Sequence, residues 1–247
     1  LVSMGNWDWI LYILMPFAAF MYASVGHGGA SSYLMILALM GFAPEEIRPS
    51  ALILNMFVSM ISFLNYRKTG KFPTSLFLSL ILFSIPAAYL GGTLLLETGI
   101  YKKILGVLLL FPVLRFAGVF PISEDQRIER KWWMGPVLGF AIGLLSGLIG
   151  IGGGIILSPI ILMLGWAGVK ETAALSALFI FLNSVSGFLG ASVFHIEFST
   201  QLWILLPLTV AGGALGAYLG AKKFSPKALK YLLAFVLAFA AVKLILG

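Results

Sequence analysis

Apolar residues fill this chain in long unbroken runs, and its polar residues collect between the runs rather than alternating within them. Runs bounded by charge, proline or glycine predict ten helical segments, near residues 8–26, 30–42, 49–66, 74–96, 100–119, 132–150, 154–168, 172–195, 200–221 and 226–246. No Asp, Glu, Lys or Arg lies between Asp8 and Glu45, from Phe72 to Leu96, from Trp132 to Val169, or from Phe198 to Ala221. About 20 apolar residues suffice for a helix to cross a bilayer. Because the runs are continuous, they predict α-helices and not a barrel. The second and seventh segments are short: their 13 and 15 residues reach roughly 20–23 Å, less than the ~30 Å hydrocarbon core. Each follows a glycine cluster, so each reads as one arm of a broken or re-entrant helix.

The two clusters are copies of one pattern. "SVGHGGASSYLM" at 24–35 and "SGLIGIGGGIILSP" at 146–159 place Gly26, Gly28 and Gly29 in register with Gly150, Gly152 and Gly153, and Gly41 with Gly165. "SAL" at 50–52 recurs at 176–178, and "AYLG" at 88–91 recurs at 217–220. The chain therefore reads as a first membrane repeat over 1–119, a polar cytoplasmic linker over 120–131, and a second repeat over 132–247. Five segments per half is an odd number, so the second copy would lie upside down relative to the first. The predicted fold is an all-α integral membrane protein of two inverted repeats whose broken helices meet near the midplane, the layout of secondary transporters.

Composition agrees, and charge adds an orientation. The chain is 60% hydrophobic and 10% charged, against about 25% charged in soluble domains. Its net charge of +7 is explained by topology rather than by nucleic acid. If the segments simply alternate, twelve of the sixteen Lys and Arg fall on one face, on the loops around Arg67, Lys170 and Lys222, in the linker and at Arg115 just before it; Arg48, Lys102, Lys103 and Lys243 fall opposite. The positive-inside rule then puts both termini outside. The first run lacks a basic leading segment and a small-x-small cleavage site, so no cleavable leader is read there. With no cysteine, thiolate metal sites and disulfides are excluded, and no metal or cofactor is expected.

The "SGLIG-GGG" lead, the proline that follows at Pro159 and the degenerate first copy together resemble the TauE/SafE sulfite-exporter family over nearly the whole chain. That resemblance implies a bacterial plasma-membrane transporter exporting a small sulfur-containing anion such as sulfite, sulfoacetate or a related organosulfonate. The lipid bilayer and protons join that anion as expected partners, and a homo-oligomer stays open. Cousins in the wider group that take up thiosulfate use cysteines absent here.

A helix broken in mid-membrane leaves the first amides of its resumed arm without intrahelical acceptors, and the positive end of the helix dipole favours an anion there. The candidate substrate-binding residues are accordingly Gly26, His27, Gly28, Gly29, Ser31, Ser32, Asn55, Gly152, Gly153, Gly154, Ser176 and Asn183. Glycine lets backbone approach a ligand closely. His27 could pair with an anion and couple it to a proton, or simply bond a carbonyl of the broken helix. Asn55 and Asn183 offer two donors each, though such residues also join neighbouring helices. The scattered glycines at 91–92, 139, 143, 147, 187, 190, 212–213, 216 and 220 read as close-packing positions. No Lys or Arg is expected in the core near either break, and Arg48 reads as a surface charge beside Glu45 or Glu46. An anion or small-solute channel is the competing reading. A hydrolase is disfavoured, since no nucleophile motif or intramembrane carboxylate accompanies His27.

Overall fold

A computed structural model of the chain describes residues 8–116, 129–193 and 200–222. The tenth predicted segment, 226–246, and most of the linker lie outside them. The described residues form helices and no strand: α1 (Asp8–Ala23), α2 (Ala30–Leu39), α3 (Pro44–Tyr66), α4 (Thr74–Gly92), α5 (Thr98–Phe116), α6 (Met134–Ile149), α7 (Gly154–Met163), α8 (Val169–Ala191) and α9 (Thr200–Lys222). Four stretches are long and apolar enough to cross a membrane: Pro44–Tyr66, Thr74–Gly92, Val169–Ala191 and Leu202–Lys222.

Nine of the ten segments are thus present, with shifted ends. Helix α3 starts five residues before the predicted 49, because Pro44 occupies the first turn, where its missing N–H costs nothing, and Glu45 and Glu46 complement the dipole. Helices α2 and α7 are shorter than predicted. At 10 residues each they span about 15 Å, half a bilayer.

The long helices are held together by glycine. A Cβ on Gly139, Gly143 or Gly147 of α6 would overlap the carbonyl oxygens of Leu80, Ser84 and Ala88 on α4; Gly212, Gly216 and Gly220 of α9 meet those of Pro16 and Phe20 on α1 and of Ser24 just past its end in the same way. Both contacts step by four residues along both helices, so each pair runs parallel with backbones in direct contact, as small residues allow in membranes. Tyr66 at the end of α3 packs with Ala173 and Ala174 at the start of α8, so α3 and α8 run antiparallel. Gly92 at the end of α4 abuts Gly190 and Ala191 at the end of α8. The scattered glycines therefore do pack helices.

Candidate substrate site at the helix breaks

Both glycine clusters interrupt their helices. Gly26, Gly29, Gly150, Gly152 and Gly153 all have φ between 71° and 95°, a left-handed conformation that costs other L-residues about 1–2 kcal/mol each. Gly29 and Gly153 are the N-caps of α2 and α7, and neither supplies a side-chain cap.

The two breaks converge on one side chain. Asn55 stands eleven residues from either end of α3, and Ile180 eleven residues from either end of α8. A Cβ on Gly28 would overlap Asn55 Oδ1, and one on Gly152 would overlap Asn55 Nδ2 and lie 2.8 Å from Ile180 Cγ2. Asn55 is thus wedged between the first break and the second, at the middle of α3 and level with the middle of α8. Its Oδ1 accepts from the Ala30 amide (3.2 Å), and its Nδ2 donates to Ser184 Oγ (2.9 Å).

Elsewhere the breaks differ. At the first, Tyr33 Oη donates to the Gly28 carbonyl (2.9 Å), and Ser31 Oγ donates to Tyr22 Oη (2.9 Å). The amides of Ser32 and Tyr33 fold back on the Gly29 carbonyl. With Ala30 capped by Asn55, the leading amide of α2 is already satisfied, contrary to the expectation that it awaits a ligand. At the second break the Ile156 and Leu157 amides return to the Gly153 carbonyl, while those of Gly154 and Ile155 meet no acceptor among the described residues. A Cβ on Gly153 would lie 2.8 Å from Ile142 Cγ2, 3.0 Å from Phe179 Cε1 and 3.5 Å from Ser146 Cβ. Ser146 Oγ is fully buried and has no protein partner.

His27 joins the halves. Its Nδ1 lies 3.1 Å from the Val25 carbonyl and its Nε2 lies 2.9 Å from Ser158 Oγ on α7, which is in turn 2.7 Å from Ser176 Oγ on α8. A carbonyl only accepts, so Nδ1 carries a proton. Nε2 then accepts from Ser158 when the ring is neutral and donates to it when the ring is charged. A proton gained by His27 reverses the hydroxyl chain that ends at Ser176, beside Gly154.

Of the remaining candidates, Gly26 abuts Ala173 (2.5 Å between Cβ positions) and Ser32 is buried on α2. Asn183 is not brought to the breaks. Its Oδ1 accepts from Ser84 Oγ of α4 (2.6 Å) and its Nδ2 donates to the Phe179 carbonyl (2.8 Å). The next residue, Ser184, takes the place facing Asn55, since one step along a helix turns about 100°.

The sequence reading also missed Arg48. It is 5% exposed, not a surface charge, and its Cγ lies 2.8 Å from where a Gly150 Cβ would be. A cleft between α1, α2, α3 and α9 opens at this end of α3, lined by Leu37, Phe42, Glu46, Ser50, Leu54 and Leu202. It ends one residue short of Asn55.

Four long apolar helices with two half-length helices starting at their mid-depth define a multi-pass membrane protein. The chain belongs to the TauE/SafE sulfite-exporter family, whose model matches residues 11–244. It is 32% identical to a probable membrane transporter protein, y4hK, of Sinorhizobium fredii, over 92% of this chain and 94% of that one. It is 27% identical to a probable membrane transporter protein, MJ0441, of Methanocaldococcus jannaschii, over 72% and 71%. A shorter stretch, 26% of this chain and 16% of the relative, is 43% identical to sulfite exporter TauE/SafE family protein 6 of Arabidopsis thaliana. No solved structure matches the chain significantly.

Proposed function

We propose that this protein is a secondary transporter that exports a small sulfur-containing oxyanion, with sulfite as the leading candidate, by alternating access of two inverted repeats. The convergence of both breaks on Asn55 carries the reading. Inversion is supported by the antiparallel run of α3 and α8, which match through their shared "SAL" sequence. It is supported again by the pairing of α4 with α6 and of α9 with α1, which a two-fold operation would exchange.

The anion sits at the start of α7. The uncapped Gly154 and Ile155 amides and the Ser146 hydroxyl supply donors there, and the dipole of α7 supplies positive potential. No buried cation needs to touch it. Asn55 holds the opposing α2 start in place. The His27–Ser158–Ser176 chain gives proton coupling a route, because protonation of the ring changes which way the Ser176 hydroxyl can point. The cleft ending at Leu54 is the entry or exit path at one end.

The test is sulfite efflux from proteoliposomes, with counterflow measured in the same vesicles. A carrier exchanges labelled for unlabelled sulfite and saturates. Linear, non-exchanging flux would establish the channel reading instead.

A further inference from the structure

Among the described residues Arg48 is the only buried Lys, Arg, Asp or Glu, and the transport reading does not use it. Its guanidinium binds three main-chain carbonyls that belong to two other helix ends. Nη1 donates to Leu94 (2.6 Å) and Leu148 (3.3 Å), and Nη2 donates to Gly92. Gly92 closes α4 and Leu148 lies in the last turn of α6, so the cation sits where two helix dipoles present negative ends. A planar fork reaches all three acceptors, which a point charge on a flexible stem does not. Tyr101 Oη adds a bond to the neighbouring Ile149 carbonyl (2.8 Å).

The opposite end of the molecule has the same geometry without the cation. Gly26, the partner of Gly150 in the repeat, packs on Ala173 of α8 where Gly150 packs on Arg48 of α3. There Tyr66 Oη donates to the Ser24 carbonyl (2.7 Å) and His27 Nδ1 lies 3.1 Å from the Val25 carbonyl. One end is therefore clamped by a desolvated guanidinium with three acceptors, and the other by a phenol and an imidazole with one acceptor each.

We infer that Arg48 is a positioning residue that seals the second break at the α3 N-terminal end, biasing the transporter toward the state closed there. It touches no substrate. Opening this end requires the guanidinium to leave its carbonyls, so the two access states are unequal in energy by design of this one residue.

The inference rests on alternating access, and the test separates the two claims. The natural chain has no cysteine, so a single one reports local opening. Ile149→Cys, at a fully buried position behind Arg48, and Ser24→Cys, 3% exposed at the other end, are each labelled with a water-soluble maleimide in nanodiscs, with and without sulfite. In the otherwise natural chain sulfite must move the two labelling rates in opposite directions; if it moves neither, or both alike, alternating access fails and the seal with it. Arg48→Met keeps the stem against Gly150 and removes the fork. It should raise labelling at Ile149→Cys and lower it at Ser24→Cys by about tenfold each, within the usual range of two-state coupling, while the sulfite Kd measured by thermal stabilisation stays within a factor of the same bias. Mere loosening of the fold would raise both rates together. If Arg48→Met does not assemble, Arg48→Lys, with charge but no fork, should show the same reciprocal shift at smaller amplitude. Reciprocal sulfite responses in the natural background with unchanged or jointly raised rates in the Arg48 variants would overturn the seal alone.

Discussion

The two helix breaks share a backbone and differ in nearly everything attached to it. Both place left-handed glycines at matching positions, 26 with 150 and 29 with 153, and both start a ten-residue helix. At the first break polar side chains engage all but the Ser31 amide: Asn55 caps Ala30, Tyr33 holds the Gly28 carbonyl, and Tyr22 holds the Ser31 hydroxyl. The second is walled by Ile142, Phe179 and Ile180, leaving two amides and the Ser146 hydroxyl free. The left-handed main chain recurs at both because each starts a half-length helix at mid-depth, whereas the side chains around it differ. An apolar wall strengthens the electrostatics of free donors, since a low dielectric screens them less.

The largest effect should come from Gly152→Ala. The new Cβ overlaps Asn55 and crowds Ile180 at a φ of 71°. Left-handed strain of about 1–2 kcal/mol adds to overpacking of about 1–3 kcal/mol. The melting temperature of the purified protein should fall steeply, and an unchanged value would mean the breaks do not meet at Asn55. Asn55→Ala comes next. It strands the Ala30 amide, at a cost of about 1–3 kcal/mol, and should abolish sulfite efflux. Combined with Gly28→Ala, whose Cβ overlaps the Asn55 side chain, it should cost less than the two changes summed, because removing the carboxamide makes room for the new methyl. Strict additivity in that double-mutant cycle would place Asn55 elsewhere.

Asn183→Ala sharpens the contrast between the two asparagines. It removes the bond from Ser84 and should lower stability by about 1 kcal/mol while leaving the sulfite-induced rise in melting temperature intact. His27→Gln keeps a hydrogen-bonding side chain but cannot titrate. Efflux should persist with a flattened profile between about pH 5 and 8, and a profile identical to the natural protein's would remove His27 from the coupling. The smallest effect on transport belongs to Gly41→Ala. Its φ of 88° carries strain but nothing lies within 4 Å of the new Cβ, so the cost should be about 1–2 kcal/mol, with no change in transport.

Nine of the segments and the two breaks were legible because hydropathy and glycine act locally. A long apolar run favours a helix, and each break shows as a cluster of three or more glycines, whereas the lone pair Gly212-Gly213 sits inside α9. Packing glycines were legible by their spacing of four. What sequence could not carry was which long-range partner each polar side chain finds. Asn55 meets Ser184 across 129 residues, and Asn183 points to α4 instead; the two differ by one position on one helix, a turn that boundary uncertainty hides. Arg48 was misplaced for a similar reason. It sits four residues inside a helix that began earlier than its apolar run, and the acceptors that bury it lie 44 to 100 positions away.

The central claim is that free main-chain donors at the start of α7 hold the anion. Ile155→Pro tests it most directly, because it deletes one of those N–H groups at a first-turn position outside the intrahelical ladder, where proline is tolerated. Ile155→Val serves as the control for side-chain volume. Sulfite should stabilise the natural protein and Ile155→Val against heat, as any ligand specific to the folded form does, and should stabilise Ile155→Pro far less although its unliganded melting stays close to theirs. Full stabilisation of Ile155→Pro by sulfite would contradict the account.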